Sequence, residues 1–376
     1  MVARTGAVNE LIDDRSSNRG TLARQLLLER IPIDPFDAIE RLVGLQAQIP
    51  LDPYTALWSR IEGFDPRAVG AQLEDRSLVR IVVMRGTIHL VTSRDARWMR
   101  PVTQPVMDQE ILRHSEYAPL LVGVDLEPVL TFAREALAET PMAARALRSV
   151  LAAEFPDLDA AALAYACRCH LPLVQIPPRG VWGKTLQVTS TPFESWTGQE
   201  LDTARGVDEL LLRYLGAYGP ASVADFTTFT RLTGLREVVE RNRGILRTFH
   251  SATGVELFDL PDAPRPSADT PAPVRFLPEY DNLLLSHAVR TRFGSDESRR
   301  FADAEGPVRG TVLVDGTVQA VWHPEQVDGP KGPTRLVVEH LPLGAAQRDD
   351  VESEAAAFVA FRYGDGEHEV QLRKLG

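Results

Sequence analysis

The chain has 376 residues, enough for several domains of ordinary size. Hydrophobic residues make up 44% and charged residues 25%, and no apolar run is long enough to span a bilayer or to act as an export signal, so the reading is a cytoplasmic protein. The net charge of −11 and pI near 5.3 argue against a uniformly basic nucleic-acid binder, although Arg80, Arg85, Arg94, Arg97 and Arg100 crowd one stretch. These arginines either form a basic face or are simply solvated. Cys167 and Cys169 read as buried thiols, since too few further ligands lie nearby for a metal site. No metal and no cofactor are expected.

In chain order, residues 1–20 read as loose, with Val8 to Ile12 able to dock. Thr21 to Arg30 reads as a helix. Asp34-Pro35 is a helix start, a capping aspartate followed by proline at the first helical position. The helix it opens leads into Gly44-Leu45-Gln46-Ala47-Gln48-Ile49-Pro50. In a continuous helix Gln46 and Gln48 would diverge. If the chain leaves the helix near Gln46, both amides can turn to one place, hold a water and face a developing cation. The bland alternative is that they cap the helix or sit in solvent. Asp52-Pro53 and Asp65-Pro66 repeat the start signal and open helices to Ile61 and Leu73. Leu78 to Met84 and Thr87 to Val91 then read as strands about a turn at Arg85-Gly86. Helices followed by a hairpin form the winged-helix plan.

The plan recurs. Glu127 to Glu139, Thr140 to Phe155 and Leu158 to His170 read as helices, and Val174 to Val188 as a wing. Val207 to Tyr218, Val223 to Phe229 and Leu235 to Arg241 are helices before the strands Leu246 to Ser251 and Val255 to Leu260. Pro261 to Pro273 has linker composition. Beyond it, strands dominate: Arg275 to Leu277, apolar Leu283 to Leu285, Val308 to Val314, Thr317 to Trp322, Leu336 to His340 and Glu369 to Leu372. Asp349 to Phe361 is an amphipathic helix. The fold class is therefore α+β: three tandem winged helix-turn-helix motifs and a C-terminal β-barrel-like domain. The divisions fall at 1–120, 121–205, 206–262 and 263–376.

Three blocks in order carry a family resemblance: Gly44-Leu45-Gln46-Ala47-Gln48, then Met84-Arg85-Gly86-Thr87-Ile88-His89-Leu90-Val91, then Leu277-Pro278-Glu279-Tyr280-Asp281-Asn282-Leu283-Leu284-Leu285-Ser286-His287. With Pro53-Tyr54-Thr55-Ala56-Leu57-Trp58, they resemble the HTH_42 winged-helix superfamily of bacterial DNA glycosylases, AlkZ type. Gln48 in the second position matches the Gln-x-Gln branch rather than the Gln-x-Asp branch. The resemblance implies a monofunctional glycosylase acting as a monomer on double-stranded DNA that carries N7-alkylguanine. Bulky natural-product adducts or interstrand crosslinks are the expected lesions, in DNA repair or antibiotic self-resistance. Gln46 and Gln48 would be catalytic. Arg85, His89, Asp281, Asn282, His287, Arg290 and Arg292 are the candidate DNA-binding residues. Alternatively Arg85 covers the hairpin, His89 is a hydrogen-bonded core histidine, and Asp281 and Asn282 shape a turn. The rival class is a non-catalytic winged-helix regulator.

Overall fold

The structure is a computed structural model that describes residues 10–184, 186–302, 309–327, 333–364, 366 and 368–375. One element order occurs three times. Helices Pro35–Arg41, Asp52–Trp58 and Pro66–Glu74 precede strands Leu78–Val82 and Ile88–Thr92. Helices Glu127–Glu139, Ala144–Glu154 and Ala160–His170 precede strands Leu173–Gln175 and Ser190–Pro192. Helices Val207–Tyr218, Val223–Thr230 and Leu235–Asn242 precede strands Arg247–His250 and Glu256–Asp259. In each set the link between the first two helices pairs antiparallel with the last strand. Strand Leu45–Gln46 does so on Ile88–Thr92, Met142 on Ser190, and Ala221 on Phe258.

The first two sets share one sheet. Arg80 and Ile81 pair with Gln175 and Val174, so five strands run Leu45–Gln46, Ile88–Thr92, Leu78–Val82, Leu173–Gln175, Ser190–Pro192. Val79, Ile81, Val91 and Val174 from this sheet pack with Tyr214, Tyr218, Phe226 and Phe229 of the third set in one core. Asp34 and Asp65 cap their helices as expected, accepting from the Phe36 and Arg67 N–H groups. Asp52 does not cap; it lies one residue inside its helix, and Leu51 holds the cap position.

The C-terminal region corrects the barrel expectation. Its five strands form an open sheet in the order Glu369–Lys374, Thr334–His340, Thr317–Gln326, Gly310–Val314, Arg275–Leu277. The two edge strands do not meet. Closure needs edges long enough to pair, and Arg275–Leu277 has three residues. Helix Ala345–Tyr363 instead covers one face, setting Val351, Ala355, Phe358 and Val359 against Phe276, Val312 and Val338. Leu283 to Leu285 is part of a short helix, Asn282–Leu285, not a strand. Of the expected docking and strand segments, Val8, Asn9 and Val308 lie outside the described residues.

Two of the longer helices depart from the expectation. Asp14–Arg24 begins where a loose terminus was expected and ends at Arg24, so the helix expected over Thr21 to Arg30 is helical only in its first four residues, and Glu10–Leu11 pairs parallel with Phe249 and His250. The buried face of this helix is mostly polar, with Ser17, Asn18, Arg19, Thr21 and Arg24 around a single large apolar side chain, Leu22. It therefore shows no apolar periodicity. Its arginines also strap down the linker-like segment, Arg15 Nε to the Ala268 carbonyl at 2.9 Å, Arg19 Nε to Thr270 at 2.6 Å and Arg24 Nη2 to Pro264 at 3.2 Å. Arg24 also forms a buried bidentate pair with Asp259, at 2.6 and 2.8 Å. The second unforeseen helix, Ser93–Arg113, runs through Pro101 and Pro105, residues that normally break a helix.

Candidate active site

Helix Pro35–Arg41 ends in two left-handed residues, Val43 (φ 59°) and Gly44 (φ 84°). A Cβ on Gly44 would sit 2.6 Å from Val91 Cγ1, so glycine is needed both for the turn and for the close approach. The turn delivers Leu45–Gln46 into the sheet edge, with Gln46 opposite His89. Gln46 thus lies on a strand edge, and Gln48 in the bend after it, rather than on a helix. The Ala47 N–H continues the ladder to the Ile88 carbonyl at 2.8 Å. The strand stops at Gln46, and the chain bends at Gln48. Gln46 is buried and Gln48 is exposed. Gln48 Oε1 accepts from the Ile88 N–H at 3.3 Å, a long and weak bond.

Arg85 holds Gln46. It stands in the hairpin turn with φ 59° and is 8% exposed. Its Nη2 donates to Gln46 Oε1 at 2.8 Å and to Asn282 Oδ1 at 2.7 Å, and lies 3.2 Å from His89 Nε2. Its Nη1 donates to the Phe229 carbonyl at 3.1 Å. A guanidinium has donors only, so the Gln46 amide must present its oxygen to Arg85 and turn its amino group away. Burial pulls the Arg85 pKa down to about 10. The Nδ1 of His89 lies 3.0 Å from the Thr87 carbonyl, which can only accept; Nδ1 carries the proton and the Nε2 lone pair faces the Arg85 guanidinium. Burial, then the Arg85 charge, push His89 down to about 3, so the ring is neutral at physiological pH.

Six of the seven expected DNA-binding residues are buried and spend polar groups on the protein itself. Arg85 and His89 form the cluster above. Asn282 ties it to the turn, Nδ2 to the Gly44 carbonyl at 3.0 Å. Asp281 makes a bidentate pair with Arg60, 2.9 Å for each bond, and accepts from the Leu283 N–H. His287 Nε2 lies 3.1 Å from the Tyr218 carbonyl, and burial pushes its pKa down to about 3. Arg292 donates to the Pro220 carbonyl at 2.8 Å. Only Arg290 is partly open to solvent. The arginine-dense stretch is likewise no basic face. Arg80 is buried against the Ala47 carbonyl and Arg100 against that of Cys169, while Arg94 pairs with Glu40 and Arg97 donates to the Glu200 carbonyl. Cys167 and Cys169 are buried and free, their thiols pushed up to about 12 and about 11 by burial.

A second polar cluster was missed because Asp52 passed for a capping residue. Asp52, Glu279, His323 and Arg362 line a cleft of about 290 Å³ together with Ile49, one residue after Gln48. Asp52 is 7% exposed. Burial raises its carboxyl to about 7, against the opposing charge of Arg362 and a bond from the Tyr280 N–H, with Glu279 and Asp281 adding to the rise. Among the described residues no three His, Cys, Asp or Glu side chains are grouped to hold a metal, and no helix is long and apolar enough to cross a membrane.

An α+β scaffold brings neutral amides and a buried cation together at a strand edge, a site built for polar recognition. Comparison makes this specific. The family model described as DNA glycosylase AlkZ-like matches residues 39–361, and the chain belongs to that family of DNA glycosylases. A relative from Streptomyces sahachiroi, titled interstrand DNA cross-link repair glycosylase, is 26% identical over 90% of this chain and 95% of its own. The solved structure of Streptomyces sahachiroi DNA glycosylase AlkZ has the same fold, with a TM-score of 0.76 at 22% identity over 97% of this chain and 100% of that one.

Proposed function

We propose that this glycosylase hydrolyses the N-glycosidic bond of N7-alkylguanine in duplex DNA, in bulky adducts or interstrand crosslinks. It would act as a monomer, with the three repeated sets serving as winged helices along the DNA. The crosslink repair named for the Streptomyces sahachiroi relative supports the lesion class. The observation that carries the mechanism is Gln46 at a strand edge, clamped by Arg85, with Gln48 exposed two residues on and its Oε1 on the Ile88 N–H.

An N7-alkylated guanine is cationic and leaves without protonation. What remains is to steady an oxocarbenium-like sugar and to deliver water. The weak bond from Gln48 Oε1 to the Ile88 N–H exchanges readily for a water or for the sugar. Gln46 Oε1 keeps its second lone pair, and its orientation is set in advance, which removes reorganisation from the reaction. DNA contact falls to cations with access to solvent rather than the buried set. Arg290 is one. Arg145, Arg148 and Arg168 are others; they line a cavity of about 670 Å³ that also includes Ile88. None of these three pairs with a carboxylate among the described residues.

The test is base release from one duplex with N7-methylguanine and one with a bulky N7-guanine adduct. Gln46→Ala and Gln48→Ala, each confirmed folded by circular dichroism, should slow release by about 10²–10⁴. Release that survives both changes would assign catalysis to other groups. No release, with tight binding to one unmodified sequence, would mean a regulator.

A further inference from the structure

The cleft beside Ile49 holds four buried polar atoms without a hydrogen-bond partner among the described residues: Asp52 Oδ2, Glu279 Oε2, Arg362 Nη1 and His323 Nδ1. Protein interiors satisfy nearly all such atoms, and a polar cavity of this size takes up water. Two of the four are carboxylate acceptors and one is a cationic donor, a set that suits water and its proton. The cleft also adjoins the glutamine stretch. The Asp52 N–H bonds to the Ile49 carbonyl at 3.2 Å, a turn that doubles the chain back from Asp52 towards Gln48. Gln46 and Gln48 are neutral amides, and neither can take a proton from water.

We propose that Asp52 accepts the proton of the hydrolytic water, a role that rests on the glycosylase reading above. As the C1′–N9 bond breaks, its electron pair goes to the purine and cancels the charge at N7. The water oxygen bonds to C1′, its proton passes to the Asp52 carboxylate, and from there through the wet cleft to solvent. The products are neutral alkylguanine and an abasic sugar.

The charged and titratable groups facing Asp52 are Arg362, Glu279 and Asp281, with Arg80 beyond and His323, Tyr363 and Tyr280 along the cleft. Desolvation dominates among them and leaves a carboxyl that titrates close to neutrality. A base is most useful when its pKa is near the working pH. The raised pKa also predicts the sign of the pH dependence: the base is available above about 7 and lost below it.

The experiment is single-turnover base release from pH 5 to 9 with whichever of the two duplexes wild type processes. Wild type should level off above pH 7 and fall about tenfold per unit below it. Asp52→Asn should run about 10²–10³ slower and lose the inflection. Asp52→Glu should keep an inflection at a shifted pH, and it decides the matter should the asparagine variant not fold. An Asp52→Asn protein at the wild-type rate, or with the wild-type inflection, overturns the assignment of Asp52 alone. A wild type that releases no base overturns the glycosylase reading and this role with it.

Discussion

Around Arg85, one buried cation meets Gln46, His89, Asn282 and the Phe229 carbonyl, and none of these four residues is left with a buried orphan atom. A few residues along the chain, around Asp52, carboxylates and a guanidinium share a cleft and leave four atoms unmatched. Both clusters are buried and polar, and both adjoin the same short strand. The first has the satisfaction of a framework, in which low local dielectric strengthens every bond. The second has the deficit of a place that expects something to arrive. Stability and chemistry are thus divided between neighbouring clusters.

The largest effect should come from emptying the satisfied side. Arg85→Met strips three acceptors of their donor, and each buried orphan costs about 1–3 kcal/mol, so urea unfolding should show a loss of about 3–5 kcal/mol. A loss under about 1 kcal/mol would mean that the acceptors rehydrate and that the contrast between clusters is false.

Acid offers the next test. His89 and His287 titrate near 3 in the folded chain against about 6.5 unfolded, so the unfolded state binds more protons between those values. Their stabilisation is complete above pH 6.5 and is lost as pH falls towards 3. From pH 6.5 to 4.5, before most carboxylates titrate, each should contribute a slope of up to about 1.4 kcal/mol per unit. Urea midpoints across that window should fall, and His89→Gln should flatten the fall. A midpoint independent of pH there would show that both rings accept protons in place.

The smallest effect has the opposite sign. Asp52 is raised in the folded state, so its contribution is full below the unfolded value of 3.8 and is lost as pH rises through about 7. Above that, a buried carboxylate costs stability. Asp52→Asn should therefore raise stability by about 1 kcal/mol at pH 8 while slowing base release, the trade expected where strain serves activity. Melting at pH 8 and pH 5 would show the gain at the first and little at the second. A destabilised variant at pH 8 would place Asp52 with the framework instead.

What the sequence disclosed follows the range of the signal. Asp34-Pro35 and Asp65-Pro66 act over a few residues, and their helices start where expected. The glutamine motif was visible, but its backbone was misjudged. A two-residue strand leaves no alternation to detect, and the left-handed Val43 and Gly44 resemble an ordinary helix end until φ is known. Arg85 and Asn282 are 197 residues apart, and nothing local marks them as partners. Exposure misled in the same way. A chain rich in arginine reads as a surface, yet Arg60 pairs out of sight with Asp281 and Arg80 lies under Ala47. Asp52 carried a genuine helix-start signal, which hid the fact that its carboxyl points elsewhere.

The helix Asp14–Arg24 has a consequence for the order in which the protein is made. It emerges well before its partners: its buried arginines wait for Asp259, 235 residues after Arg24, and for Asp315, 296 residues after Arg19. At about 5–20 residues per second, the helix stays undocked for roughly 12–60 s on the ribosome. Early synthesis therefore leaves a polar, soluble segment idle while the later units fold, and the last third of the chain recruits it. Nascent chains halted before residue 259 should be cut by protease within this helix, and chains carried past residue 340 should resist. Protection already present at residue 200 would show that the helix finds its place without them.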